Sequence, residues 1–102
     1  MIYVIATIEL NEGCKDDFLK IFNSNVPNVR DEEGCVTYVP TVDVDSGMPV
    51  QDELRSDVVT VVEAWDSLDA LHQHLKAPHM ASYRENVKDL VKQVSLQVMQ
   101  PV

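Results

Sequence analysis

The chain has 102 residues, of which 17 are Asp or Glu and 8 are Lys or Arg, giving a formal net charge of −9. This length is typical of one domain, and we expect residues 1–102 to form a single soluble domain with a shallow core. A surface this acidic repels phosphate backbones and anionic lipid headgroups, so nucleic acids and membrane surfaces are disfavoured as partners.

The N-terminal segment, residues 2–10, is predicted to be a β-strand. Its strongest apolar positions recur at every second residue: Ile2, Val4, Ala6, Ile8 and Leu10. The segment carries Glu9 and lacks the basic start and the cleavage site of a signal peptide. No run reaches transmembrane length, so a cytoplasmic location is expected.

The two cysteines, Cys14 and Cys35, form no CxxC pair and are expected to be reduced thiols.

The next segments are predicted to be a helix, a strand and a loop. Residues 14–30 carry apolar side chains at three- and four-residue steps, which indicates an amphipathic helix, and Pro27 is expected to kink or break it. The β-branched segment 35–44 is predicted to be the second strand, with Pro40 marking a bulge or a sheet edge. Residues 45–57 are polar, and a loop of this length is often functional or contacts a partner.

Residues 58–66 are predicted to be the third strand, and Ser67 is predicted to cap the helix that follows it. Three leucines define the stripe that this helix is expected to bury: Leu68, Leu71 and Leu75.

Pro78 is expected to separate that helix from another one, since proline suits a first helical turn. The apolar side chains assigned to this second helix are Met80, Tyr83, Val87, Leu90 and Val91. The last strand is predicted from the alternation of Val94, Leu96 and Val98 with polar or flexible residues.

The predicted order is β-α-β-β-α-β, with the second helical segment broken at Pro78. This order indicates an α+β ferredoxin-like fold, a split βαβ with a four-stranded antiparallel sheet and its helices on one face. The other sheet face also needs cover, because it is expected to carry Tyr3, Ile5, Val59 and Val61. A second copy of the chain, laid sheet to sheet, would supply that cover, and we therefore expect a homodimer.

All three histidines, His72, His74 and His79, fall within eight residues. Histidine accepts a proton readily near neutral pH, so the cluster is either part of a reactive pocket or a set of ordinary polar residues on a helix flank. Helical geometry relative to the leucine stripe ranks His79 and His72 above His74. A metal site is disfavoured, since His72 and His74 point in different directions and HExxH spacing is absent.

Glu63 and Trp65 are predicted to share one strand face with Val59 and Val61. A carboxylate there is costly to bury unless it is paired, so Glu63 is either a general base that acts with a histidine or the partner of a backbone group or of an arginine such as Arg84 or Arg30. Trp65 is expected to be core or pocket wall. Tyr38 and Tyr83 either line the same cavity or pack in the core.

Three stretches and the C-terminus resemble a known family: EEGCVTYVP at 32–40, VEAW at 62–65, HLKAPHMASY at 74–83, and the final QPV. The combination is similar to the antibiotic biosynthesis monooxygenase superfamily, and within it to the bacterial quinol monooxygenases. The resemblance spans nearly the whole chain. It implies a dimeric α+β barrel with a cavity between sheet and helices, in which O₂ oxidises a hydroquinone without flavin, haem or metal.

The resemblance also selects among the candidate residues. The positions that match its pattern are Trp65, His74, Pro78, His79, Met80 and Tyr83. His72 does not match, so His74 and His79 rank first despite the helical geometry. The haem-degrading branch uses an Asn, a Trp and a His, at places that hold Thr7, His74 and Arg84 here, which argues against haem degradation.

The expected site therefore has two groups of residues and no cofactor or metal. The catalytic group is His79, His74 and Glu63, and the substrate-binding group is Trp65, Tyr38, Tyr83 and Met80. The expected partners are a small aromatic or quinone-type substrate, O₂ and a second copy of the chain. Two alternatives remain: an isomerase of a small phosphorylated compound, which needs two of Arg30, Arg55 and Arg84 in the cavity, and a non-catalytic ligand-binding dimer with a filled pocket.

Overall fold

The computed structural model describes all 102 residues and contains four strands and three helices. In chain order these are β1 (Ile2–Leu10), α1 (Lys15–Arg30), β2 (Cys35–Thr41), β3 (Val58–Trp65), α2 (Leu68–Lys76), α3 (Pro78–Val87) and β4 (Val91–Met99). All neighbouring strands are antiparallel, in the order β2-β3-β1-β4. The predicted α+β ferredoxin-like arrangement is confirmed. None of the three helices combines the length and the hydrophobicity that a membrane-spanning helix needs.

The strand register decides which side chains face the helices. β1 pairs with β3 so that Ile8 lies opposite Val59 and Ala6 opposite Val61, and all four side chains are buried. The prediction that Val59 and Val61 lie on the uncovered sheet face is therefore wrong. They belong to the core, because the strand alternates in phase with the even-numbered residues of β1.

The uncovered face of the sheet is nevertheless partly apolar. Tyr3, Val39 and Val62 lie on it with exposed side chains, and Ile5 is half-buried. The register places Val62 between Ile5 of β1 and Val39 of β2, so these side chains form a continuous patch across three strands.

Helix α1 supplies the other half of the core through Phe18, Phe22, Val26 and Val29. It continues through Pro27, so the predicted break and short second piece do not occur. Pro27 lies on the exposed side, where the missing N–H leaves no buried carbonyl unpaired.

Two predicted boundaries also differ from the structure. β2 ends at Thr41 rather than Val44, and it is an edge strand, as Pro40 suggested, although its irregularity lies between Cys35 and Thr37. α3 ends at Val87, so Leu90 and Val91 are not helical. Leu90 closes a turn onto the Val87 carbonyl, and Val91 begins β4.

The edge strand β4 is covered less than the rest of the sheet. α1 packs on β2 and α2 on β3, and no helix packs closely over β4. The register puts Val94, Leu96 and Val98 on the same sheet face as the core residues of β1, yet these three side chains are 53%, 47% and 48% exposed. The space between sheet and helices is therefore open along β4.

Candidate active site

A mostly apolar cavity of about 220 Å³ lies between the sheet and the helices on the β4 side. Twelve of its 15 lining residues are hydrophobic, and Leu96 of β4 and Leu75 of α2 are among them. The polar or ionisable groups that reach it are Tyr38, Glu63, His74, Tyr83 and Arg84. Five of the seven predicted site residues line this cavity: Tyr38, Glu63, His74, Met80 and Tyr83.

His74 reaches the cavity because of how α2 is capped and turned. The Ser67 hydroxyl accepts a hydrogen bond from the Ala70 N–H at 3.1 Å, which confirms the predicted N-cap. The buried side of the helix consists of Leu71 and His74, and the other two leucines of the predicted stripe are exposed. The helical ranking was wrong for this reason: the side that faces the sheet is centred between Leu71 and His74, and His72 is exposed.

The His74 ring is almost fully enclosed, with 3% of its side chain exposed. Its ring centre lies 4.6 Å from that of Trp65 and 5.5 Å from that of Tyr38. Burial lowers the pKa of His74, although the nearby Glu32 carboxylate opposes the shift. At neutral pH the ring is therefore neutral and able to accept a proton.

Glu32 is a candidate site residue that the sequence analysis missed. Its Oε2 lies 2.7 Å from His74 Nδ1, and its Oε1 lies 3.1 Å from His79 Nε2, so one carboxylate links the two histidines. In the sequence analysis Glu32 enters only through the stretch EEGCVTYVP, which carries the family resemblance. An acidic residue two positions before a glycine was the available signal, but nothing in the sequence showed that this turn meets α2.

Gly34 brings the Glu32 turn against α2. Its φ is +83°, a backbone angle that residues with a side chain rarely adopt. A Cβ placed on Gly34 would lie 2.5 Å from the Ala70 Cβ. The absence of a side chain at Gly34 therefore permits the close approach that sets Glu32 beside His74.

Glu63 is a buried carboxyl group, 6% exposed, on the strand opposite Tyr38. Its Oε1 accepts a hydrogen bond from the Trp65 indole N–H at 3.0 Å, and burial raises its pKa to about 7. The proposed arginine partners bond elsewhere: Arg30 donates to the Tyr38 carbonyl and Arg84 to the Leu75 carbonyl. Near neutral pH Glu63 is thus divided between its protonated and ionised forms.

The remaining predicted residues divide between cavity and core. Trp65 is fully buried and does not line the cavity. It holds Glu63 and packs against His74. Burial raises the pKa values of Tyr38 and Tyr83, so both phenols keep their protons and can donate hydrogen bonds to a ligand.

His79 lies outside the cavity. It borders a polar pocket between α1 and α3 together with Asn25 and Asn28. Its Nδ1 atom is buried and has no hydrogen-bond partner.

A second, acidic depression of about 500 Å³ lies on the other side of His74. We use the name acidic depression for the surface lined by Glu32, Glu33, Gly34, Asp66, Ser67, Asp69, Ala70, Gln73 and His74. His74 is the only residue that lines both this depression and the cavity, so its ring separates an apolar space from an acidic one.

Comparison with known proteins gives a consistent result. The profile of the family described as Antibiotic biosynthesis monooxygenase matches residues 1–86. A protein of Escherichia coli K12 named "Probable quinol monooxygenase YgiN" is 37% identical over 107 aligned positions, covering 99% of this chain and 98% of that protein. The fold is similar to that of PA3566 from Pseudomonas aeruginosa (TM-score 0.80, 22% identity, covering 99% and 93% of the two chains). It is equally similar to that of Rv0793 from Mycobacterium tuberculosis (TM-score 0.80, 22% identity, covering 99% and 94%).

Proposed function

We propose that this chain, which belongs to the antibiotic biosynthesis monooxygenase family, oxidises a quinol with O₂ in the cavity beside His74, without a bound cofactor. The observation that carries the proposal is a buried, neutral histidine at the wall of a mostly apolar cavity. His74 Nδ1 is bonded to Glu32, whereas its Nε2 has no partner in the protein. Since His74 lines the cavity and Glu32 occupies its Nδ1, Nε2 is the ring nitrogen left to bind a ligand there.

The proposed reaction begins with proton transfer from a quinol hydroxyl to His74 Nε2. The O–H bond breaks, and its electron pair stays on the quinol oxygen. The resulting quinolate is a good electron donor, so the protein need only bind it, deprotonate it and keep water away.

The overall balance needs no external reductant. One atom of O₂ replaces a ring hydrogen as a hydroxyl group, and the other leaves as water with the two hydrogens of the quinol hydroxyls. The quinol, which becomes a hydroxyquinone, supplies all four electrons that O₂ takes up.

The other lining groups suit a planar aromatic substrate. The walls are mostly hydrophobic, and a volume of about 220 Å³ admits one ring or a small fused pair. The Tyr38 and Tyr83 hydroxyls can donate to the quinol oxygens. Glu63, on the strand opposite Tyr38, is the second proton acceptor of the site.

A homodimer is part of the proposal. The exposed side chains of Tyr3, Val39 and Val62 on the uncovered sheet face support it, since a second copy laid there would remove them from water. The isomerase alternative is less favoured, because Arg84 is the one arginine among the lining residues. The non-catalytic alternative with a filled pocket is also less favoured, because the cavity holds about 220 Å³ of space.

The test is O₂ uptake with 1,4-naphthohydroquinone by the purified protein, corrected for autoxidation. His74→Asn keeps an N–H at the Nδ1 position but has no equivalent of Nε2, so its rate should fall by at least about 100-fold. His72→Asn, on the exposed side of the same helix, is the matched control and should keep the wild-type rate. With ¹⁸O₂, one labelled atom should appear in the quinone. Uptake no faster than autoxidation, or equal rates for wild type and His74→Asn, would contradict the proposal.

A further inference from the structure

Glu32 holds two histidines at once, and the chemistry of a carboxylate fixes what each of them must do. A carboxylate oxygen accepts hydrogen bonds and has none to donate, so the facing ring nitrogens both carry protons. His74 is then protonated at Nδ1, 2.7 Å from Glu32, and His79 at Nε2, 3.1 Å from it. In a neutral ring the second nitrogen carries no proton, and its lone pair can accept one.

The two lone pairs that remain lie in very different places. His74 lines the cavity, and its Nε2 has no partner in the protein. His79 is not among the cavity lining, and its Nδ1 is buried without a partner. A proton on that Nδ1 would be a buried N–H with nothing to accept it, which is rarer and costlier in proteins than an unused acceptor.

From this geometry we propose that, of the two histidines, only His74 takes the substrate proton, and that Glu32 and His79 are positioning residues for it. Glu32 holds His74 in the form with its lone pair toward the cavity, and His79 donates to Glu32 to fix that carboxylate in place. This inference rests on the proposed function and changes the role expected of His79 from a base to a donor.

The proposed step balances within the site. The quinol O–H bond breaks, its proton bonds to His74 Nε2, and the ring becomes an imidazolium whose charge is offset by Glu32. The proton later leaves with the water that the reaction releases. Through Glu32 the same arrangement both selects the tautomer and stabilises the charged ring, as the aspartate does in serine proteases.

The burial of the three side chains agrees with these roles. The exposed fraction is 3% for His74, 16% for Glu32 and 25% for His79. The ring that lines the cavity is therefore the least exposed of the three groups. An ion pair formed at His74 is therefore screened least where the quinol proton arrives.

Substitutions at His79 separate a donor from a base. Gln carries its amide nitrogen the same number of bonds from the backbone as His Nε2, so His79→Gln can still donate to Glu32 but cannot serve as a base. We expect His79→Ala to lower kcat by about tenfold and His79→Gln to restore it to within about threefold of wild type.

Glu32→Gln should reverse the tautomer of His74. The amide offers one acceptor and one donor, and the acceptor should turn to His79 because the buried Nδ1 of that ring disfavours a proton. The amide then donates to His74 Nδ1, which places the ring proton on Nε2 and removes the lone pair from the cavity. kcat should fall by about 100-fold or more, with KM changed much less.

The direct test is ¹⁵N NMR of the histidine rings, read without substrate, together with O₂ uptake of the variants. Wild type should show His74 protonated at Nδ1 and His79 at Nε2, and Glu32→Gln should show His74 protonated at Nε2. Protonation of wild-type His74 at Nε2, or of His79 at Nδ1, would overturn the inference. So would a His79→Gln rate as low as that of His74→Asn.

These outcomes are distinct from a failure of the proposed function. If wild type oxidises no quinol, the proposed function fails while the ring assignments are still measured. If Glu32→Gln does not fold, the wild-type NMR and the His79 pair still decide the inference.

Discussion

The cavity and the acidic depression share the His74 ring but differ in almost every other respect. Twelve of the 15 residues that line the cavity are hydrophobic, against one of the nine that line the depression. The cavity holds Glu63, whose pKa burial raises to about 7, whereas the carboxylates of the depression that stand apart from His74 are exposed. In the proposed reaction, the apolar side of His74 receives the substrate and the charged side holds the ring through Glu32.

Glu63→Gln tests the apolar side of His74 and should give the largest pH-dependent change in stability. Burial raises the pKa of Glu63 from 4.5 to about 7, so folding disfavours its ionised form. The stability that Glu63 contributes is therefore fully present below pH 4.5 and is lost as the pH rises through 7. Gln keeps an acceptor for the Trp65 indole without the charge. Above pH 7 the free energy of unfolding of the Glu63→Gln variant should exceed that of wild type by up to about 3 kcal/mol.

Urea unfolding at several values between pH 4 and pH 8 measures this difference. Glu9→Gln, on the exposed side of β1, is the control and should show no comparable change with pH. If the difference between Glu63→Gln and wild type stayed constant across the range, the carboxyl group would not be titrating in a buried place.

Gly34→Ala tests the close contact between the turn that carries Glu32 and helix α2. An added Cβ at Gly34 meets the Ala70 Cβ and also strains a backbone with φ of +83°, so we expect a loss of about 3 kcal/mol. Gly13→Ala is the matched control, because its φ is +78° and nothing lies within 4 Å of the added atom. That variant should lose only about 1 kcal/mol. Thermal unfolding of both proteins gives the comparison, and equal losses would mean that the close contact with α2 is absent in solution.

Ala6→Leu tests whether the cavity is the binding space. Ala6 is buried in β1 and lines the cavity, so three added carbon atoms project into the volume of about 220 Å³. kcat/KM for the naphthohydroquinone should fall by at least about tenfold, chiefly through KM. Ile5→Leu, the neighbouring residue on the other sheet face, should stay near wild type. Unchanged kinetics in Ala6→Leu would place the substrate elsewhere.

Neutralising the acidic depression should give the smallest effect. Glu33, Asp66 and Asp69 are exposed, and water and salt screen their fields at His74. The triple variant Glu33→Gln, Asp66→Asn, Asp69→Asn should change kcat by less than about threefold, measured at low and at physiological ionic strength. A larger loss would mean that the charges of these exposed carboxylates act on His74 in addition to the Glu32 contact.

The sequence predicted the fold well because that fold depends on local periodicity. Alternation in β1, the Ser67 cap and Pro78 each specify local structure, and the strand order follows from connecting them. The errors arose where tertiary packing decides. Val59 and Val61 have no sequence mark of which face they occupy, and Pro27 was tolerated because that side of α1 faces water.

The candidate site was less accessible to sequence reasoning. The family pattern preferred His74 to His72, whereas the leucine spacing alone pointed the other way. The structure places His74 in the cavity lining and His72 on the surface. Glu32 was missed because its contact with His74 spans 42 residues and depends on the approach at Gly34, which no local pattern encodes. The exclusion of His79 from the cavity likewise follows only from the packing of α1 against α3.

The most direct test of the central claim is a crystal structure of the protein with a bound 1,4-naphthoquinone. The account predicts the ring system in the cavity against Tyr38 and Leu96, with one quinone oxygen at hydrogen-bond distance from His74 Nε2. A quinone bound in the acidic depression, or in the cavity with its oxygens turned away from His74, would contradict it.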